Sequence, residues 1–149
     1  YKSFYVRIMT YFQLITELQN TVKQDPNIRF TGAGNIYELN NKPDINYRVF
    51  YITPNLSTSY EDVDQYSLNL FYIDRWDDST NNQTEIQSAG KTILTDIINR
   101  FKTNHPEVEI QYPYTFQFFY ERFSDVCAGC WVTLNIQVDS DVCSIGENY

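Results

Sequence analysis

Apolar positions recur along this chain in two distinct periods. Tyr11, Leu14, Ile15, Leu18 and Val22 fall at helical spacing, and Thr10 with Gln13 matches a capping box just ahead of them. A helix is therefore predicted from Tyr11 to about Gln24. Pro26 ends it, because the residue before a proline avoids the helical region. Ile86, Ala89, Gly90, Ile93, Leu94, Ile97, Ile98 and Phe101 form the strongest amphipathic pattern in the sequence. They predict a second helix over Glu85–Lys102, with Thr84 and Gln87 read as its capping box.

Between and after the helices the period shortens to two. Ile28–Thr31 reads as a short strand, Gly32-Ala33-Gly34 as a turn and Ile36–Leu39 as another short strand. Asn40–Asp44 reads as a loop. Tyr47–Thr53 and Gln65–Asp74 read as long strands. In the first, Val49 and Tyr51 lie on one side and Phe50 and Ile52 on the other, which marks a central strand covered on both faces. Pro54–Asp64 reads as a polar loop, and Trp76–Gln83 as a polar linker after its tryptophan. Val108–Tyr112, Tyr114–Phe123 and Cys130–Val138 complete the strands. The last alternates cleanly, with Val132, Leu134, Ile136 and Val138 on one face. This order of elements predicts an α+β fold: a mostly antiparallel sheet with two α-helices packed on one face. The 149 residues suit one domain, with 1–9 as an N-terminal extension and 139–149 as a loosely held tail. Met9 directly precedes the first helical pattern, which makes it a candidate start, with Tyr1–Ile8 either added ahead of it or left over from a longer chain.

Composition changes this picture in two ways. The 13 Tyr and 10 Phe favour strands and half-wet surfaces, so a large sheet is expected. The net charge of −8 opposes binding to phosphate backbones, which needs basic side chains to displace condensed counterions. Nucleic acid and anionic membrane are therefore not expected as partners. The sequence lacks an apolar run of about 18 residues, so no membrane span is expected. Tyr1–Met9 has no long apolar core or small-residue cleavage site, so no signal peptide is expected there. The cysteines, Cys127, Cys130 and Cys143, are odd in number and point to a reducing compartment.

Few constellations suggest chemistry. Cys127-Ala-Gly-Cys130 needs two more ligands to hold zinc, and only Cys143 and His105 remain to supply them, at spacings of no common zinc module. A redox role needs the CxxC to open a helix after a strand; here it precedes a strand. The cysteines are expected to be small core or turn residues near a hairpin, with Gly129 at a positive φ. His105, the sole histidine, follows a helix and is expected to be an exposed cation at the helix C-terminus. Glu61, Asp62 and Asp64, and Asp74, Asp77 and Asp78, read as solvated loop charge, since neither group has EF-hand spacing. Gly32-Ala33-Gly34 is too short for a phosphate loop. The expectation is that the chain is not an enzyme and carries no catalytic, metal or cofactor site.

The most unusual segment is Tyr112–Phe123. Tyr114, Phe116, Phe118 and Tyr120 form a wholly aromatic strand face, which is either core or, together with Trp76, a surface that packs on another subunit. Two helices cannot cover both faces of a five- or six-stranded sheet.

The helix Tyr11–Gln24, the strand pair Tyr47–Thr53 and Gln65–Asp74, the helix Glu85–Lys102 and the closing strands resemble the element order of small phage tail-terminator and head-to-tail connector proteins. Within it, Thr84–Phe101, ending Ile97-Ile98-Asn99-Arg100-Phe101, is similar to their second helix. Trp131-Val132-Thr133-Leu134-Asn135-Ile136, reached through Cys-Ala-Gly-Cys, is similar to a strand of neck or ring proteins from Bacteroides-infecting (crAss-like) phages. The resemblance covers about Met9–Val138 and lies in element order, length and texture. It implies a structural virion protein without catalytic residues. Such a protein is a subunit of a homo-oligomeric ring that caps the tail or joins it to the capsid connector, next to other neck and tail proteins. An acidic ring would let DNA pass through its lumen without specific binding. Assembly in the host cytoplasm also fits the reduced cysteines. The alternative is a small bacterial α+β binding domain with an aromatic cleft for a protein or small-molecule ligand. A third reading is a metal-binding module built on the cysteines.

Overall fold

The computed structural model describes residues 9–41, 47–76, 82–120 and 126–139. The expected extension Tyr1–Ile8, the end of the loop expected at Asn40–Asp44, most of the linker after Trp76 with Asp77 and Asp78, Phe123, Cys143 and the tail beyond Asp139 lie outside the described residues.

Helix α1 (Tyr11–Lys23) starts where the capping box places it. Thr10 accepts from the Gln13 N–H, and the Gln13 side chain accepts from the Thr10 N–H, so two orphan donors are satisfied reciprocally. Helix α2 (Gln83–Asn104) is longer at both ends than its apolar pattern. It starts after Asn82 with no side-chain cap, so the capping box expected at Thr84 and Gln87 does not form. Both residues already lie inside the first turns of the helix. Among the described residues, no helix is long and apolar enough to cross a membrane.

Strand β1 (Phe30–Ala33) runs parallel to β2 (Val49–Ser59). The other pairings are antiparallel: β2 with β3 (Val63–Arg75), and β3 with β6 (Cys127–Asp139). On its far side β6 pairs with β4 (Glu109–Ile110) and with β5 (Phe116–Tyr120). The result is a six-stranded sheet, β1-β2-β3-β6-β4 with β5 also on β6, carrying both helices on one face. The α+β architecture predicted from the sequence is the one observed.

Three local expectations are corrected. Gly32 and Ala33 belong to β1, and the turn falls on Gly34, whose φ of 135° suits a residue without a Cβ. Ile36–Asn41 is a 3₁₀ helix, not a strand. Pro54–Asp64 is not a loop: β2 and β3 continue almost to the hairpin tip, past a register shift between Pro54 and Leu56. Their polar Asn, Ser and Thr side chains conceal a ladder held by backbone hydrogen bonds.

The helix face of the sheet holds the main core. Phe50, Ile52, Leu68, Leu70, Tyr72, Val132, Leu134 and Ile136 meet Leu14, Leu18, Leu94, Ile97, Ile98 and Phe101. Met9, just ahead of α1, is buried in the same core. The opposite face carries a second cluster at one end, where Ile36 and Leu39 of the 3₁₀ helix join Val49, Tyr51, Phe71, Ile73, Phe119 and Cys127.

Candidate functional site

The CxxC segment lies inside β6, between β3 and β5, not at a turn. Cys127 and Cys130 are buried and unbridged. Burial pushes the Cys130 thiol up to about 12, so it stays protonated and unreactive. Gly129 does not take a positive φ. It is needed because a Cβ there would run into the carbonyl oxygen of Tyr72 and sit 2.8 Å from the Phe119 ring. Among the described residues, no three His, Cys, Asp or Glu side chains converge as a metal ion would require.

His105 is buried, not exposed. It caps α2 through its N–H to the Phe101 carbonyl, and its ring packs 4.7 Å from that of Phe101. Its Nε2 lies 3.3 Å from Glu17 of α1 and its Nδ1 lies 3.6 Å from Glu107. The imidazole therefore lies between the end of α2 and Glu17 of α1, where a proline-containing turn leads into β4.

Of the two acidic groups, Glu61 and Asp62 form the tip of the β2–β3 hairpin and Asp64 lies at the start of β3. Asp74 sits at the other end of β3, with its carboxylate 3.9 Å from Arg48 and accepting from the Arg75 N–H. Burial is the main cause that raises its pKa. With Asn27, Tyr72, Asn82 and Glu85, Arg48 and Asp74 line a cleft of about 290 Å³ at the start of α2. A second cleft, of about 340 Å³, lies where Tyr11 and Tyr66 meet at 5.4 Å beside Pro54 and Leu56. It is open and mostly apolar, with Asn55, Ser57 and Ser67 as polar members of its lining.

The aromatic segment behaves differently from either cleft. The alternation of β5 sends Phe119 to the face opposite the helices, where it lies 6.4 Å from Phe71. Phe116, Phe118 and Tyr120 share the helix face with their partners on β6, Val132, Cys130 and Ala128. Phe116 and Tyr114 are half-buried against the core, whereas Phe118 is 53% exposed and Tyr120 is 60% exposed. Tyr112, also exposed, stacks in tilted fashion on Tyr114 at 5.3 Å, and Tyr114 meets Phe116 edge to face at 5.8 Å.

Helix α2 runs alongside this strip. Gln87, Lys91 and Lys102 fall on one of its faces by the helical period. Gln87 donates to the Phe119 carbonyl at 3.1 Å. The Lys91 ammonium lies 5.7 Å from the centre of the Phe116 ring. That of Lys102 lies 4.9 Å from the centre of the Tyr112 ring and donates to the Tyr112 hydroxyl at 3.0 Å. The product is a continuous aromatic strip along the β5 side of the sheet, edged by two lysines.

Four of the five residues proposed from the sequence as an interface, Tyr114, Phe116, Phe118 and Tyr120, thus lie in one strip. Trp76 does not join them. It is 8% exposed and packs in the main core after β3, so it presents no face to a partner. Sequence reasoning missed Lys91 and Lys102 as members of the strip. Their shared helix face is readable from spacing, but the rings beneath them come from a segment that only the tertiary fold brings alongside.

No protein-family model matches the chain, and no curated protein matches its sequence.

Proposed function

We propose that this chain is a structural subunit of a phage neck or tail ring, one that joins or terminates the tail at the capsid connector. The observation that carries assembly is the strip of Tyr112, Phe118 and Tyr120, exposed on a domain whose main core is otherwise closed by its own helices. Interface cores are enriched in aromatic side chains, and a run of exposed rings on one edge is costly to leave in water. The element order set out above supplies the phage context, with the virion as the place of work and other neck or tail proteins as neighbours. The acidity supports a lumen that passes DNA without holding it.

The test is the mass of the purified chain in solution, measured over a range of concentrations. A discrete multimer, visible as rings by negative-stain microscopy, is expected. A chain that stays monomeric throughout would sink the proposal.

A second reading, a binding domain with an aromatic cleft, is favoured by the Tyr11–Tyr66 cleft. It predicts that Tyr66→Ala abolishes ligand-induced thermal stabilisation in a screen of small apolar compounds. The ring reading predicts no such compound.

A further inference from the structure

The β2–β3 hairpin tip has the opposite character to the aromatic strip. Leu56 and Tyr60 are exposed there, beside Glu61, Asp62 and Asp64. Among the described residues none of these three carboxylates forms an ion pair. The tip thus offers apolar side chains with unpaired negative charge. The strip offers aromatic rings with two lysine ammonium groups. The hairpin and β5 also lie on opposite sides of β6. The tip lies at the end where Val63 pairs with Asp139, and β5 lies on the other side of β6, against Ala128–Val132. The tip and the Phe118–Tyr120 part of the strip therefore sit toward different ends of β6.

We propose that the hairpin tip of one copy docks on the aromatic strip of the next, with Glu61 and Asp62 facing Lys91 and Lys102. This contact rests on the ring reading above and names the surfaces that build the ring. Charge decides between the possible pairings. A two-fold contact of strip on strip would bring lysine-bearing surfaces together, and tip on tip would bring the carboxylates together. Like charges across an interface are strongly disfavoured. Tip on strip is the pairing that satisfies both. Because it joins different surfaces, it is heterologous, and it generates a ring where the rotation closes. Sheet extension through β5 is the weaker route, since the Phe119 carbonyl already accepts from Gln87.

Reciprocal charge reversal tests it. One variant carries Glu61→Lys with Asp62→Lys, and the other carries Lys91→Glu with Lys102→Glu. Sedimentation velocity compares the wild-type chain, each variant and their equal mixture at low salt. The wild type is expected to self-associate, less so as salt is added. Each variant alone should associate roughly tenfold more weakly or worse. The mixture should recover association in particles that contain both variants, because a basic tip then meets an acidic strip and an acidic tip a basic strip. Misfolded variants cannot be rescued by mixing, and thermal unfolding of each one checks folding directly. If a reversal disrupts folding, Leu56→Ser with Tyr60→Ser at the tip and Phe118→Ser at the strip replace it, each expected to weaken association. Self-association that is insensitive to these changes, or is not recovered on mixing, overturns the tip-to-strip contact and leaves the ring reading standing. A wild-type chain that never associates overturns both.

Discussion

The two faces of the sheet solve different problems with the same strands. On the helix face, Phe50, Leu70, Leu134 and Ile136 are sealed by α1 and α2 into one continuous core. The opposite face is divided. At one end Phe71 stacks on Trp131 at 5.6 Å and packs with Tyr51, Ile73 and Phe119 under the 3₁₀ helix. Farther along, the same strands turn polar. The side-chain carbonyl of Asn69 accepts from Asn55 at 2.9 Å and from Thr133 at 2.8 Å, while its amide donates back to Asn55 at 3.1 Å. Apolar burial holds one face, and side-chain hydrogen bonds carry part of the other. Exposed aromatic rings occur singly at Phe12 and Tyr37, whereas Tyr112, Phe118 and Tyr120 share the β5 side.

The sharpest break in this comparison is a charge on the sealed face. Ile97→Asp is expected to abolish cooperative unfolding in circular dichroism, because Ile97 is fully buried and a lone charge there has no partner. Ile93→Asp should leave a cooperative transition, since Ile93 is half-buried at the rim of the Arg48–Asp74 cleft. Cavity formation comes next. Leu134→Ala on the sealed face should cost about 2–5 kcal/mol by chemical denaturation. Asn69→Ala on the polar face should cost only about 1–2 kcal/mol, the worth of hydrogen bonds that water can partly replace.

The sealed face should also respond to alkali. Burial raises Tyr72 to about 12 from 10.0, and Cys130 to about 12 from 9.0. Both groups hold protons in the folded chain that the unfolded chain has already released. The stability they contribute is complete below pH 9 and is lost as pH rises toward 12. Tyr72→Phe and Cys130→Ala should each flatten that decline in denaturation curves recorded across the window. Asp74 has the same sign in acid: its raised pKa makes stability fall as pH climbs from the ordinary carboxylate value of 3.8. The smallest effect separates the two covering helices. Thr10→Ala removes a formed cap and should cost about 1 kcal/mol. Thr84→Ala removes none and should stay within about 0.5 kcal/mol.

Much of the fold is legible in the sequence because the helices carry their own signals. Thr10, Gln13 and Pro26 bound α1 by local chemistry, and the Ile-Leu pattern of α2 marks its buried side. Clean alternation from Val132 to Val138 likewise makes β6 readable. The hairpin arms beyond Thr53 are not legible, since Pro54, Asn55 and the Ser and Thr positions have loop composition and are held by pairing with β3 and, through β3, β6. His105 escapes a local reading for a related reason. Its surroundings include Glu17 and Glu107, and Glu17 approaches it from a distant part of the chain.

The candidate site divides along the same line. Local sequence determined that one strand would be crowded with aromatic rings and that the chain would be acidic, because composition and period are properties of neighbours. Tertiary structure alone decided that Phe119 turns inward while Phe118 stays outside, that Trp76 enters the core, and that two lysines of α2 come to rest beside the rings. Those outcomes depend on which strand lies next to β6 and which helix crosses it, contacts between segments far apart in the chain that no local pattern encodes.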